Sequence, residues 1–305
     1  MRPVPSGYVD LQVNGYGGVD FTSPDLTLDQ IHDVTRALAA VGVAAYCPTV
    51  ITAPEEIYRR NFPLIARAMR DPQWGDALLG IHLEGPFFAP AAAGAHPQDQ
   101  LREPNEEAFQ RWNEWAEGRI VLHTLAPERP GAVPLIKTLT AQGIVCSLGH
   151  HLGGTDAIRR AVQAGARCCT HLGNGIPLQV HRHCNPIIDQ LAEPDLQVMF
   201  IPDGQHIPLN VIRLIKSTKR INQLIAVSDC APIAGLPPGP YTLWGEPVQL
   251  TAERGVRQHD GESLAGSAWH LSACLQWLQE TRLFTEDELM DMGRHNPLRL
   301  IGLHT

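Results

Sequence analysis

The chain has 305 residues, is 44% hydrophobic and 18% charged, and carries a formal net charge of −8. That length and composition suit one large globular domain, and the acidic balance excludes the basic face a nucleic-acid binder needs. No run reaches the ~18 consecutive apolar residues of a membrane span. The first five residues, Met1 to Pro5, lack the apolar core of a signal peptide, which points to the cytoplasm. The seven cysteines form no CxxC pair and stand mostly in apolar surroundings, such as Ile144-Val145-Cys146, so they read as reduced, buried thiols.

Tyr8–Asn14 opens the chain as an apolar, strand-like run. Leu28, Ile31, Val34 and Leu38 then recur at helical spacing, with Thr27 and Gln30 placed as a capping box. A second strand, Val43–Val50, leads to a second helical pattern (Ile57, Leu64, Ile65, Met69), where Thr52 and Glu55 stand in the same capping relation. Six more strands follow at Leu78–Glu84, Ile120–Leu125, Ile144–Leu148, Arg167–His171, Gln197–Pro202 and Leu224–Asp229. Helices fall at Asp156–Ala164, Leu209–Lys219, Ala268–Gln279 and Glu286–Gly293. Alternating strands and helices imply parallel pairing through right-handed crossovers. Eight such units predict an α/β fold, a (β/α)₈ TIM-type barrel filling residues 1–305 as one domain. A Pro/Gly-rich hairpin insertion is expected at about 232–250. An open doubly wound sheet is the rival, but Asn14-Gly15-Tyr16-Gly17-Gly18 lacks GxGxxG spacing.

Catalytic groups of such barrels stand at the C-terminal strand ends. Those ends carry Asn14, Glu84, His150 with His151, His171, Asp203 with His206, and Asp229. Singly, each has a plainer reading: Glu84 before Gly85-Pro86 as a turn cap, His150 and His151 as loop surface, Asp229 as a helix N-cap. Together they read as a metal site. A carboxylate and two imidazoles, Glu84, His150 and His171, suit Zn²⁺ or a similar divalent ion and leave a position for water. Such an ion lowers the pKa of that water and polarises a carbonyl, and Asp229 is placed to carry protons as general base and acid. For His82, His123, His181, His183 and His259 the structural or solvent-exposed reading is preferred.

These strand ends, in this order, make the chain resemble the N-acetylglucosamine-6-phosphate deacetylases of the amidohydrolase superfamily. The resemblance runs from Gly7 to about Gly302. It rests on Gly7-Tyr8-Val9-Asp10-Leu11-Gln12-Val13-Asn14-Gly15, His82-Leu83-Glu84-Gly85-Pro86-Phe87, Gly94-Ala95-His96-Pro97, Leu148-Gly149-His150, Thr170-His171-Leu172, Asp203-Gly204-Gln205-His206, Val227-Ser228-Asp229 and Leu264-Ala265-Gly266-Ser267. It implies a metal-dependent deacetylase of an N-acetylated amino sugar, with one ion, expected to be Zn²⁺, on Glu84, His150 and His171. Asp229 would be the acid/base, and His96 would help polarise the acetyl carbonyl. Ala95, Asn174, Gly175, Leu264, Ala265 and Gly266 would line the substrate, with Arg182 and His206 at its phosphate end. In the family's pattern that arginine can come from a neighbouring subunit, which would fit a homodimer. Gln12 and Asn14 stand where many amidohydrolases carry a His-x-His pair for a second metal. The chain departs from the family at Asn174-Gly175-Ile176 and at His181-Arg182-His183-Cys184-Asn185-Pro186, and most of the usual β-sandwich is missing from the sequence. Two other readings are an amidohydrolase of the same mechanism acting on a different amide or an unphosphorylated N-acetyl sugar, and a non-catalytic sugar-binding barrel.

Overall fold

The structure is a computed structural model that describes residues 4–258 and 264–303; His259 lies outside the described residues. Eight parallel strands pair in chain order: β1 (Tyr8–Val13), β2 (Val43–Ile51), β3 (Ile81–Glu84), β4 (Ile120–Leu125), β5 (Val145–Leu148), β6 (Cys168–Cys169), β7 (Gln197–Phe200) and β8 (Leu224–Ala226). The seam between β8 and β1 is bridged by a parallel contact of Val13 with Cys230, where Asn14 N–H donates to the Cys230 carbonyl at 3.0 Å. The expected TIM-type barrel is therefore what the chain forms.

Helices cross between the strands: α1 (Leu28–Ala40), α2 (Glu55–Ala68), α3 (Glu106–Trp115), α4 (Ala132–Ala141), α5 (Thr155–Ala164), α6 (Pro186–Ala192) and α7 (Leu209–Thr218), with α8 (Leu271–Glu280), α9 (Glu286–Met290) and α10 (Asn296–Leu300) closing the chain. Thr27 and Gln30 form the expected capping box on α1. The matching expectation fails at α2, which starts after Pro54 with no side-chain cap. Thr52 instead bonds His96, and Glu55 turns outward to Arg102, Arg111 and Trp112.

Val9, Leu11, Ala45, Cys47, Leu122, Val145, Cys168, Met199, Ile225 and Val227 fill one buried cluster, which Leu298 and Leu300 of α10 complete. A second, larger cluster includes helix residues such as Ile31, Phe62, Trp112 and Ile212. Six cysteines are buried, while Cys184 is exposed, because the segment around it runs over the surface. No helix among the described residues is long and apolar enough to cross a membrane.

After β8 the chain builds a four-stranded antiparallel sheet from β9 (Gly239–Leu243), β10 (Glu246–Leu250), β11 (Gly255–Gln258) and β12 (Leu264–Ser267). The 239–250 hairpin is thus half of a larger sheet. Its last strand returns to the barrel seam, where Ser267 N–H donates to the Asp229 carbonyl at 2.9 Å and Ala231 N–H to the Ser267 carbonyl at 2.7 Å.

The register of β1 on β2 slips between Asp10 and Val13. At the slip, Asp10 Oδ1 accepts the backbone N–H groups of Gln12 and Ser228, both at 3.2 Å. Such irregularities re-aim side chains beside active sites, and here the result brings the Gln12 amide to the barrel mouth. Burial pushes the Asp10 carboxyl up to about 7.

Candidate active site

Three ligand-type side chains converge at the C-terminal mouth of the barrel. Glu84 ends β3, while His150 and His171 each lie two residues past the ends of β5 and β6. Their donor atoms all lie within 4.8 Å of one another, and all three residues are buried. His171 Nε2 is 3.0 Å from Glu84 Oε1, His150 Nε2 is 3.5 Å from the same oxygen, and the two Nε2 atoms are 3.1 Å apart. The edge of a tetrahedron of Zn–N and Zn–O bonds near 2.0 Å is about 3.3 Å.

Two imidazole lone pairs cannot face each other at that distance unless a proton or a cation lies between them. His150 Nδ1 donates to the Ala92 carbonyl at 3.0 Å, which fixes the tautomer and aims the Nε2 lone pair inward. Without a metal the proton goes to His171. Burial alone would lower its pKa, but the hydrogen bond with Glu84 raises it. Burial lowers His150. Glu84, despite burial, is held well below the usual carboxylate range by its bonds to His150 and His171. The donor set fits a divalent ion better than it fits a shared proton.

Asp229 stands beside this cluster, past β8. Its Oδ1 accepts from Asn14 Nδ2 at 2.8 Å and from Gln12 Nε2 at 3.0 Å, and Gln12 Nε2 also donates to Glu84 Oε1 at 2.8 Å. Gln12 and Asn14 therefore orient the two carboxylates. Burial and then the Glu84 charge push the Asp229 carboxyl up to about 6.

Three of these four groups hold left-handed backbone: φ is +52° at His150, +28° at His171 and +51° at Asp229. Non-glycine residues enter this region at a cost and cluster there at functional sites. The conformation also explains why β6 and β8 end before the residues that the sequence assigns to them, while β5 ends at Leu148 as expected. The strands stop where the backbone turns to present these side chains.

His96 is buried at the rim, 8% exposed. Thr52 holds it at one nitrogen: its backbone N–H donates to Nδ1 at 3.3 Å, and its hydroxyl lies 3.0 Å from the same atom. An N–H donor needs a lone pair at Nδ1, so the proton sits on Nε2. Burial keeps the ring well below its ordinary pKa, making His96 a neutral N–H donor.

A cavity of about 70 Å³ is lined by Glu84, His150, His171, Asp229 and His96, with Ala95, Gly175, Leu264 and Gly266. It adjoins a compartment of about 390 Å³ that touches Asn174, Gly175, His206 and Leu264, and another of about 510 Å³ bordered by Ala95, His96 and Ala265. Asp203 anchors His206 by accepting from its Nδ1 at 2.7 Å. Arg182 is exposed and lines none of the three. Sequence reasoning missed Trp244, which lines both the smallest and the largest cavity; its place in a β-turn gives no signal. It also took Thr52 for a helix cap instead of a partner of His96, and it named Asp203 at a strand end without its bond to His206.

His82 and His123 are fully buried structural histidines. Burial lowers them to about 4 and about 3 respectively. His181 and His183 are exposed.

Gly175 has φ +61°, and a Cβ there would lie 2.7 Å from Cε1 and Nδ1 of His150. Gly175→Ala is expected to cost about 1 kcal/mol of stability through the left-handed backbone. By displacing the His150 ring it is also expected to weaken Zn²⁺ binding at this candidate site about tenfold. Chelator competition beside a denaturant titration checks both; unchanged metal affinity would mean that the His150 ring has room to move.

No family model matches the chain. N-acetylglucosamine-6-phosphate deacetylase of Bos taurus is 34% identical over 97% of this chain and 74% of its own length. The Homo sapiens enzyme of the same name is 34% identical over 99% and 75%. Among solved structures, a mutant of the Mycobacterium smegmatis enzyme in complex with N-acetyl-D-glucosamine-6-phosphate superimposes with a TM-score of 0.88 at 27% identity, over 97% of this chain and 77% of that one.

Proposed function

The chain belongs to the N-acetylglucosamine-6-phosphate deacetylase family, and on that premise we propose that it removes the acetyl group from an N-acetylated amino sugar, first of all N-acetylglucosamine-6-phosphate. The carrying observation is the convergence of Glu84, His150 and His171 with Asp229 beside them. These three residues would hold one divalent ion, and the borderline donor set favours Zn²⁺. Bound there, the ion supplies an activated water and a polarised carbonyl.

The chain's own groups supply the rest. His96 Nε2–H donates to the acetyl oxygen. Asp229 takes a proton from the attacking water and returns it to the departing nitrogen. Gln12 and Asn14 occupy Asp229 Oδ1, which leaves Oδ2 for that proton. Asn174, Gly175 and His206 border the compartment assigned to the sugar, and Ala95, Leu264, Ala265 and Gly266 flank the acetamide. Arg182, exposed as it is, would reach a phosphate only from a second copy of the chain, in a homodimer. The same reading takes residues 1–305 as one cytoplasmic barrel domain, with the hairpin insertion expected at about 232–250 forming part of the sheet after β8.

One observation favours a second substrate. Asp99 and Glu246 line the 510 Å³ compartment, and carboxylates repel a phosphate dianion. If the sugar extends into that space rather than into the 390 Å³ compartment, its unphosphorylated form is the better ligand. Acetate release from N-acetylglucosamine-6-phosphate and from N-acetylglucosamine, with Zn²⁺ present, decides the matter. Release from the phosphorylated sugar supports the first reading, release only from the plain sugar the second, and release from neither rejects deacetylation of these sugars.

A further inference from the structure

We propose that a chain of buried hydrogen bonds beneath the ligand cluster, running from Leu11 through His82, Thr124 and Thr170 to Ser147, positions the metal ligands, with Thr170 as its central positioning residue. The proposal rests on the reading of Glu84, His150 and His171 as metal ligands.

The links are short. His82 Nδ1 lies 3.1 Å from the Leu11 carbonyl, and His82 Nε2 lies 2.7 Å from Thr124 Oγ1. Thr124 Oγ1 is 2.8 Å from Thr170 Oγ1, which is 2.6 Å from Ser147 Oγ. His82, Thr124 and Ser147 are 0% exposed and Thr170 is 3% exposed, so no solvent relaxes them.

The Leu11 carbonyl sets the direction of the bonds; the Thr49 hydroxyl, 3.3 Å from the same Nδ1, gives its own proton to the Cys47 carbonyl at 3.3 Å and accepts at His82. A carbonyl oxygen only accepts, so His82 carries its proton on Nδ1 and Nε2 must accept. Thr124 O–H therefore donates to His82, Thr170 O–H to Thr124, and Ser147 O–H to Thr170. One carbonyl on β1 thus orders hydroxyls on β4, on β5 and one residue past β6. A buried polar chain with every link made holds its strands in one arrangement; a broken one leaves costly unpaired groups.

The strands so joined are those that carry the site. Leu11 precedes Gln12, His82 stands two residues before Glu84, Ser147 three before His150, and Thr170 adjoins His171. Apolar side chains of like size would fill the same space. Hydroxyls add an angular constraint on the ends of β3, β5 and β6, where three donor atoms must meet within 4.8 Å.

The test uses the full chain and Zn²⁺ titrated against a chromophoric chelator. Thr170→Val keeps the shape and removes the hydroxyl; Thr170→Ser keeps the hydroxyl and removes the methyl. Thr170→Val is expected to bind Zn²⁺ at least tenfold more weakly than wild type, the range seen when groups that orient ligands are lost, and Thr170→Ser to retain most of the affinity. A loss below tenfold in Thr170→Val, or an equal loss in Thr170→Ser, overturns the proposal. Should Thr170→Val not fold, Ser147→Ala removes only the last hydroxyl: a threefold or greater loss supports the chain, and a smaller one overturns it. Wild-type protein that binds no Zn²⁺ would instead reject the metal reading itself.

Discussion

Replacing Asp229 by asparagine is expected to lower kcat by about 10²–10⁴-fold, the span usually supplied by a positioned acid/base, while Zn²⁺ stays bound. Asparagine keeps an oxygen for the Asn14 and Gln12 amides that meet at Oδ1, so the architecture survives and only proton transfer is lost. The wild-type pH profile carries a second signature. The base must be ionised, and burial followed by the Glu84 charge raises this carboxyl to about 6 in the metal-free protein. A dication on the neighbouring ligands opposes the repulsion from Glu84 and draws that value down. The acid limb of kcat/KM should therefore fall at or below about pH 6, losing tenfold per unit below it, and should vanish in Asp229→Asn. A variant with wild-type turnover, or one that keeps the limb, would remove Asp229 from this role.

The second large effect is on the metal centre. His171→Ala removes the group that stands 3.0 Å from Glu84 and 3.1 Å from His150. Metal content should drop from about one ion per chain towards zero, and turnover with it, by several kcal/mol of transition-state stabilisation or on the order of 10³-fold. Stability reports the same event independently. At free Zn²⁺ near 1,000 times Kd, binding stabilises the native state by about 4 kcal/mol, which for a chain of this size is roughly 8 °C in Tm. Thermal scans with and without chelator should show that shift in wild type and none in His171→Ala. A wild-type Tm indifferent to both chelator and added Zn²⁺ would argue against a bound ion.

Much of this was legible in the sequence because the signals are local. The eight β-branched runs alternate with helical spacing, and the Glu, His and Asp side chains stand at equivalent ends of them. What escaped depends on partners distant in the chain. Thr27 and Thr52 present the same capping pattern, yet Thr52 is diverted to His96, 44 residues away, and nothing in its neighbourhood signals that. Gln12 reads as a poor metal ligand, but its amide ties Glu84 to Asp229, 72 and 217 residues onward. The 239–250 hairpin is visible as a turn-rich stretch. Its two further strands are four residues each and offer too little periodicity to detect. The departure at Arg182 is visible in sequence as well, but only the folded chain shows the side chain exposed and outside the cavity lining.

The left-handed backbone at His150, His171 and Asp229 also limits how this centre can be redesigned. Asparagine, aspartate and histidine are the side chains that enter that region most readily, whereas β-branched ones are excluded. Exchanges among those three types leave the rim conformation intact, so a harder, oxygen-rich coordination sphere is reachable by single substitutions. Threonine or valine at the same positions would first have to rebuild the loop, and the rim therefore admits a narrow alphabet whatever ion it is asked to hold.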